Sequence, residues 1–303
     1  MQPDDAHPGR GSFVRDQVRA LQAIGEAEVE LVEFAPGPRA LAAAAGPLRR
    51  AGRFDVVHAH YGLTALPCLA ARARVRALTV HGTDVNHPRT RLLTAAVLPR
   101  IDVLAAASAE LAARIPTTAG RRRALVLPCG VDTERFAPLE RAAARVRLGR
   151  DPAAPFLLFP ADPARPEKRV ERARTVARES GAELVTLGAA TPAEVGLWIN
   201  AASAVLVPSE REGFGLAVLE ALACEIPVLA TPVGEHADAL AGLPDVLCAE
   251  FDAARWSAAA RDLLAREPRV AGGRGAAERY GSRAMARRVL DAWRAALGKA
   301  GGE

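Results

Sequence analysis

Glu212 and Glu220 bracket seven residues, and the loop they frame, Ser209-Glu210-Arg211-Glu212-Gly213-Phe214-Gly215-Leu216, runs into an apolar helical stretch. Gly213 and Gly215 let the backbone approach a ligand closely. The free amides of a helix start, here those of Phe214 to Leu216, favour a phosphate by ~1 kcal/mol. A diphosphate is the natural occupant. Glu220 interrupts the apolar run ~7.5 Å along the helix from Gly215, where the two hydroxyls of a ribose would satisfy its carboxylate. Glu212, in the loop, can take the hydroxyls of a sugar. The same residues taken alone also fit a Glu220 paired with an arginine and a solvated Glu212.

A second group lies earlier in the chain. His81 ends an apolar run and precedes Gly82, the position at which α/β sites collect, with Asp84 near enough to position it. His58 and His60 are two apart in another apolar run, so both point to one face of a strand. With His81, Asp84 and His87 they could begin a metal site, which makes a metal-dependent hydrolase a rival reading.

These residues must be held by alternating strands and helices. The apolar runs Val29 to Phe34, Phe54 to Val57, Ala77 to Val80, Val103 to Ala107 and Ala124 to Leu127 read as buried strands. Helices fill the gaps: Val14, Val18, Leu21 and Ile24 form one apolar stripe. The polar, Arg- and Pro-rich stretch Pro138 to Pro155 breaks the pattern and reads as a boundary. It restarts with strands at Phe156 to Phe159, Glu183 to Leu187, Ala204 to Pro208 and Pro227 to Ala230. The expected architecture is α/β, two doubly wound parallel-sheet domains. The first covers residues 1–145 and is completed by the terminal helix at 283–303, whose Met285, Val289, Leu290, Trp293 and Leu297 need an apolar surface; the second covers 152–282. A domain of this kind normally opens with a strand feeding a glycine turn. Here Gly9-Arg10-Gly11 follows only polar and turn-forming residues, so the first strand of the amino-terminal domain is missing from the pattern.

Composition narrows the classes. The 303 residues, half of them hydrophobic, can form a sizeable core, which excludes low-complexity disorder. With 8 Phe, 3 Trp and 2 Tyr the chain lacks a stacking platform for single-stranded nucleic acid, and its net charge of +5 is spread rather than concentrated. Cys68, Cys129, Cys224 and Cys248 are too scattered for a disulfide framework or a zinc motif. No apolar run reaches the ~20 residues that span a bilayer. A cytoplasmic protein is expected, and no nucleic acid among its partners. Lysine occurs only at Lys168 and Lys299, all other basic residues being arginine.

The loop from Glu212 to Glu220, preceded by Val-Pro-Ser and followed by Ile226-Pro227-Val228-Leu229-Ala230-Thr231-Pro232-Val233-Gly234, resembles the GT-B glycosyltransferases of family 4. Asp55-Val56-Val57-His58-Ala59-His60, Val80-His81-Gly82-Thr83-Asp84, Leu127-Pro128-Cys129-Gly130-Val131-Asp132 and Phe136 fall at that family's landmarks, in order and over almost the whole chain. The resemblance implies two Rossmann-like domains facing a cleft. It implies a nucleotide-sugar donor held mainly by the second domain, an acceptor sugar, lipid or small molecule on the first, transfer with retention of configuration, and no required metal or other cofactor. Glu212 would hold the donor sugar, Glu220 the ribose, and Gly9 and Gly11 the glycine loop that faces the phosphates. His81 would act at the reacting region.

Family members carry an Arg and a Lys five residues apart that grip the diphosphate. Lys168 fits the second position, whereas Pro163 stands at the first, leaving Arg165 as the substitute cation. An ammonium acts there as a compact point charge. The departures at Pro163 and at the first strand leave a nucleotide-sugar binder without turnover as an alternative. Basic runs at Arg72 to Arg76 and Arg121 to Arg123 offer anionic lipid at the inner face of a membrane ~1 kcal/mol per residue, or face water.

Overall fold

The computed structural model describes residues 11–35, 37–188 and 190–301. They form two compact units, one of residues 11–130 with 283–301, the other of residues 131–282. In the first, β1 (Arg53–His60), β2 (Arg72–Val80), β3 (Val103–Ala106) and β4 (Leu125–Val126) form a parallel sheet in sequence order. The register sets His58 beside Ala77 and His60 beside Thr79, and β2 ends one residue before His81. In the second, β5 (Phe156–Phe159), β6 (Glu183–Thr186), β7 (Ala204–Val207), β8 (Val228–Ala230) and β9 (Leu247–Cys248) are parallel in the order β6-β5-β7-β8-β9.

The central strands β3, β5, β7 and β8 are continuous apolar runs, as strands of parallel sheets covered on both faces are. All four residues of β5 and of β7 are buried, and Leu157, Phe159, Val176, Leu206, Leu229 and Trp256 share one core. The first unit is closed by the terminal helix Ser282–Ala300. Its Met285, Val289 and Leu290 pack with Leu21, Ala105 and Leu127, and its Trp293, Ala296 and Leu297 lie against Val75, Ala77 and Val103. Each such large apolar side chain contributes ~1.5–3 kcal/mol when fully buried.

Two expectations are corrected. Val29 to Phe34 is not a strand. A strand needs a ladder partner, and among the described residues none precedes the helix Ser12–Ile24 to supply one. Instead Gln22 donates to the Val29 carbonyl and Arg15 pairs with Glu33, while Val32 is exposed. The first helix is entered through Gly11, in the left-handed region at φ 72°. The polar stretch from Pro138 contains the helix Arg141–Arg147. Arg141 donates to the carbonyls of Ala202, Glu267 and Pro268, and Arg145 to that of Ala201 and to Glu267. Buried arginines therefore dock this segment on the second unit.

Candidate functional site

In the second sheet β5 and β7 are neighbours, and the chain leaves β5 toward β6 on one side and β7 toward β8 on the other. Ligands of open α/β sheets bind at such a switch point, beyond the carboxyl ends of the strands. Two loops emerge there. The one after β5 ends in a short turn, Pro166–Lys168, before the helix Val170–Ser180. The one after β7 carries Ser209 to Gly215 into the helix Leu216–Ala223. The Glu210 amide donates to the Glu167 carbonyl at 2.9 Å, tying the loops together.

The tie brings Lys168 onto Glu212. Its ammonium donates to both carboxylate oxygens at 2.7 and 2.6 Å, with the two side chains only 13% and 8% exposed. The Ser209 hydroxyl adds a third donor at 2.7 Å. Burial alone would raise the Glu212 pKa, but Lys168, nearby His236 and Ser209 more than reverse that, so the carboxyl lies below its ordinary range. The pair thus holds itself together in the unliganded chain, and Glu212 neutralises the charge a diphosphate would seek.

Gly215 caps the next helix at φ 107°. A β-carbon there would meet Nε2 of His236 at 2.4 Å. His236 is buried, its Nδ1–H donates to the Thr231 carbonyl at 2.9 Å, and its Nε2 has no partner. Thr231 in turn donates to the Ser209 carbonyl. Gly234, at φ 61°, passes so close to the Phe214 carbonyl that a β-carbon would lie 2.6 Å from it. Phe214 itself is buried edge-on against Tyr280. Gly213 and Leu216 complete the bend, and Glu220 lies on the helix it starts. Ser209, Thr231 and His236 are site residues that spacing did not single out. Ser209 lay in the quoted Val-Pro-Ser, but His236 had no signal, since only folding of residues 231–236 beneath Gly215 buries it.

Arg165 does not join this cluster. It is half exposed and bound to Glu167 at 2.9 and 2.6 Å, a partner two residues away. Gly9 lies outside the described residues, and Gly11 forms the left-handed entry to the first helix.

The first unit holds the histidines. His58 stacks on His60 at 4.7 Å and His60 on His81 at 5.2 Å. Five of their six nitrogens are spent on Thr79, Trp293, Gln17 and each other, and the sixth, His81 Nδ1, lies 4.0 Å from Cys129 Sγ. Stacked rings do not converge on a point, and among the described residues no group of three His, Cys, Asp or Glu could hold a metal. The metal-dependent hydrolase loses its geometry. Asp84 was expected to position the His81 ring; its carboxylate instead accepts the backbone amides of His81, Gly82 and Gly62, fixing the main chain at the strand end.

Burial lowers the pKa of His58 to about 4 and of His81 to about 3, and that of His60 well below the usual 6.5. All three are neutral in the folded chain. Below pH 6.5 the unfolded chain gains protons that the folded one refuses, so stability falls as pH drops, by up to ~1.4 kcal/mol per pH unit for each histidine. Between pH 7 and 5.5, above the carboxylate range, the melting temperature should fall steeply, and replacing His60 with phenylalanine should flatten the slope. A pH-independent Tm over that window would contradict the neutral cluster.

Residues 131–266 match the family model for glycosyl transferases group 1, and residues 8–135 that for glycosyltransferase family 4. A D-inositol 3-phosphate glycosyltransferase of Frankia alni is 32% identical over 82% of this chain and 76% of its own. The chain belongs to glycosyltransferase family 4. Its GT-B fold is shared with sucrose-phosphate synthase of Thermosynechococcus elongatus, at a TM-score of 0.71 and 20% identity over 97% of this chain and 94% of that one. Anabaena Alr3699/HepE, solved with UDP and glucose, gives a TM-score of 0.70 at 12% identity, over 96% of this chain and 97% of that one. As a family 4 enzyme the protein is a glycosyltransferase, with a nucleotide sugar as donor and a second molecule as acceptor. No helix among the described residues is long and apolar enough to cross a membrane.

Proposed function

We propose that this family 4 enzyme moves a sugar from a nucleoside diphosphate to an acceptor with retention of configuration, the donor held by the second unit and the acceptor by the first. The observation that carries the reading is the buried Lys168–Glu212 pair beside the glycine bend that starts the helix Leu216–Ala223. A diphosphate takes the Lys168 ammonium, and Glu212, released, accepts hydroxyls of the sugar. The amides of Phe214 to Leu216 add donors to the phosphates, and Glu220 binds the ribose. As the glycosidic bond breaks, negative charge builds on the departing diphosphate, where preorganised donors act most strongly. Lys168 and the helix-start amides supply the opposing charge, so transfer needs no metal. His81 donates a hydrogen bond at the reacting sugar.

A thermal-shift panel of UDP, GDP, ADP and dTDP sugars tests the reading. The matching donor at 100 times its dissociation constant should stabilise the protein by ~2.7 kcal/mol, and no stabilisation by any of the four would refute it. With the donor known, a phosphorylated cyclitol is the first acceptor to try, on the example of the relatives named D-inositol 3-phosphate glycosyltransferase.

A further inference from the structure

The hydrogen bonds of the histidine stack have a direction. Gln17 Nε2 lies 3.3 Å from His60 Nε2. An amide nitrogen only donates, so His60 Nε2 accepts and the His60 proton sits on Nδ1. His60 Nδ1 lies 3.0 Å from His81 Nε2, which must therefore accept as well. His81 is left with its proton on Nδ1, where the nearest partner is Cys129 Sγ at 4.0 Å, a weak acceptor. His81 is also partly exposed. The neighbouring chain runs independently: Trp293 Nε1–H, which can only donate, meets His58 Nδ1 at 3.2 Å, so His58 carries its proton on Nε2 and gives it to Thr79 Oγ1 at 2.8 Å. Phe13 and Tyr61 pack on the His81 ring at 4.6 and 5.0 Å and hold its plane.

We propose that His60, clamped by Gln17, is a positioning residue that locks His81 as an Nδ1–H donor. The inference rests on the reading of His81 as the histidine that meets the sugar, and it adds the sign of that contact. His81 offers a proton to an oxygen lone pair and cannot take one through Nδ1. It is thereby a hydrogen-bond donor to a donor-sugar or phosphate oxygen rather than a general base.

Nitrogen-15 NMR of histidine-labelled, unliganded protein reads the tautomers directly. The expected result is His58 protonated on Nε2 and both His60 and His81 on Nδ1; a His81 protonated on Nε2 overturns the proposal. His60→Phe keeps a stacking ring but removes the donor, and should move His81 toward the Nε2–H form while lowering kcat about tenfold or more with little change in donor KM. His60→Asn, whose amide reaches the place of Nδ1, should restore the His81 signal and most of kcat. Gln17→Leu, on a different element, should loosen the same tautomer if His60→Phe fails to fold. A His81 tautomer indifferent to both His60→Phe and Gln17→Leu overturns the inference, whatever their effect on turnover. Loss of the underlying reading looks different: His81→Ala would then leave turnover unchanged while the wild-type tautomers stay as assigned.

Discussion

Lys168→Met should lower kcat/KM by about 10²–10³-fold, because it removes the cation that meets the leaving diphosphate. It should also cost about 3–5 kcal/mol of stability in the second unit, since Glu212 would be left as a buried carboxylate with the Ser209 hydroxyl as its one remaining side-chain hydrogen-bond donor among the described residues. The two effects separate in a double substitution. Lys168→Met with Glu212→Gln removes both charges, so most of the lost stability should return while activity stays absent. Guanidinium unfolding and donor turnover on the wild type and these two variants check this. A stable and active Lys168→Met protein would mean that the ion pair is a surface contact of little value. The sign with pH agrees: the depressed Glu212 pKa adds stability that is present above pH 4.5 and lost as pH falls through the folded value.

Gly215→Ala is the second large effect. The backbone at φ 107° is strained for any residue with a β-carbon, which costs about 1–3 kcal/mol. The new methyl would also overlap the buried His236 ring, at 2.4 Å from Nε2 and 2.5 Å from Cδ2. Overpacking of this sort costs about another 1–3 kcal/mol. A total loss of about 2–6 kcal/mol is expected, together with loss of donor-induced stabilisation, because a displaced His236 releases Thr231 and with it the anchor on Ser209. Adding His236→Ala should recover the overlap part and leave the backbone part. Wild-type melting and donor binding in Gly215→Ala would show that the bend tolerates a side chain and that its glycine has no steric role.

Much of this arrangement was legible in the order of residues, for reasons that differ by element. The runs forming β1 to β8 are short, apolar and separated by amphipathic helices, a pattern that parallel sheets impose, although β1 and β2 are longer than their apolar centres because their outer ends are partly exposed. The glycine bend was legible because glycine at two close positions has a backbone meaning that other residues lack. Val29 to Phe34 misled because strand composition cannot report whether a neighbour exists to complete the ladder. Arg141 and Arg145 misled because charge usually signals solvent, whereas here backbone carbonyls satisfy the guanidinium groups inside. The pairing of Lys168 with Glu212 joins residues 44 apart, and no spacing rule relates them; each was assigned a ligand partner, while in the unliganded chain they are partners of one another. The same holds for the tautomer chain through Gln17, His60 and His81, whose direction depends on which nitrogen faces which.

On this reading a nucleoside diphosphate displaces Glu212 from Lys168. With lysine at two positions only, and Lys299 exposed near the end of the terminal helix, lysine-selective 13Cε-labelled protein gives two side-chain signals. Titration with UDP, GDP and ADP should, for the matching base, shift the Lys168 signal saturably, in step with the gain in thermal stability, and leave Lys299 unmoved. Saturating nucleotide binding that leaves the Lys168 signal where it began would show that Glu212 keeps Lys168 and that the diphosphate is held by other groups.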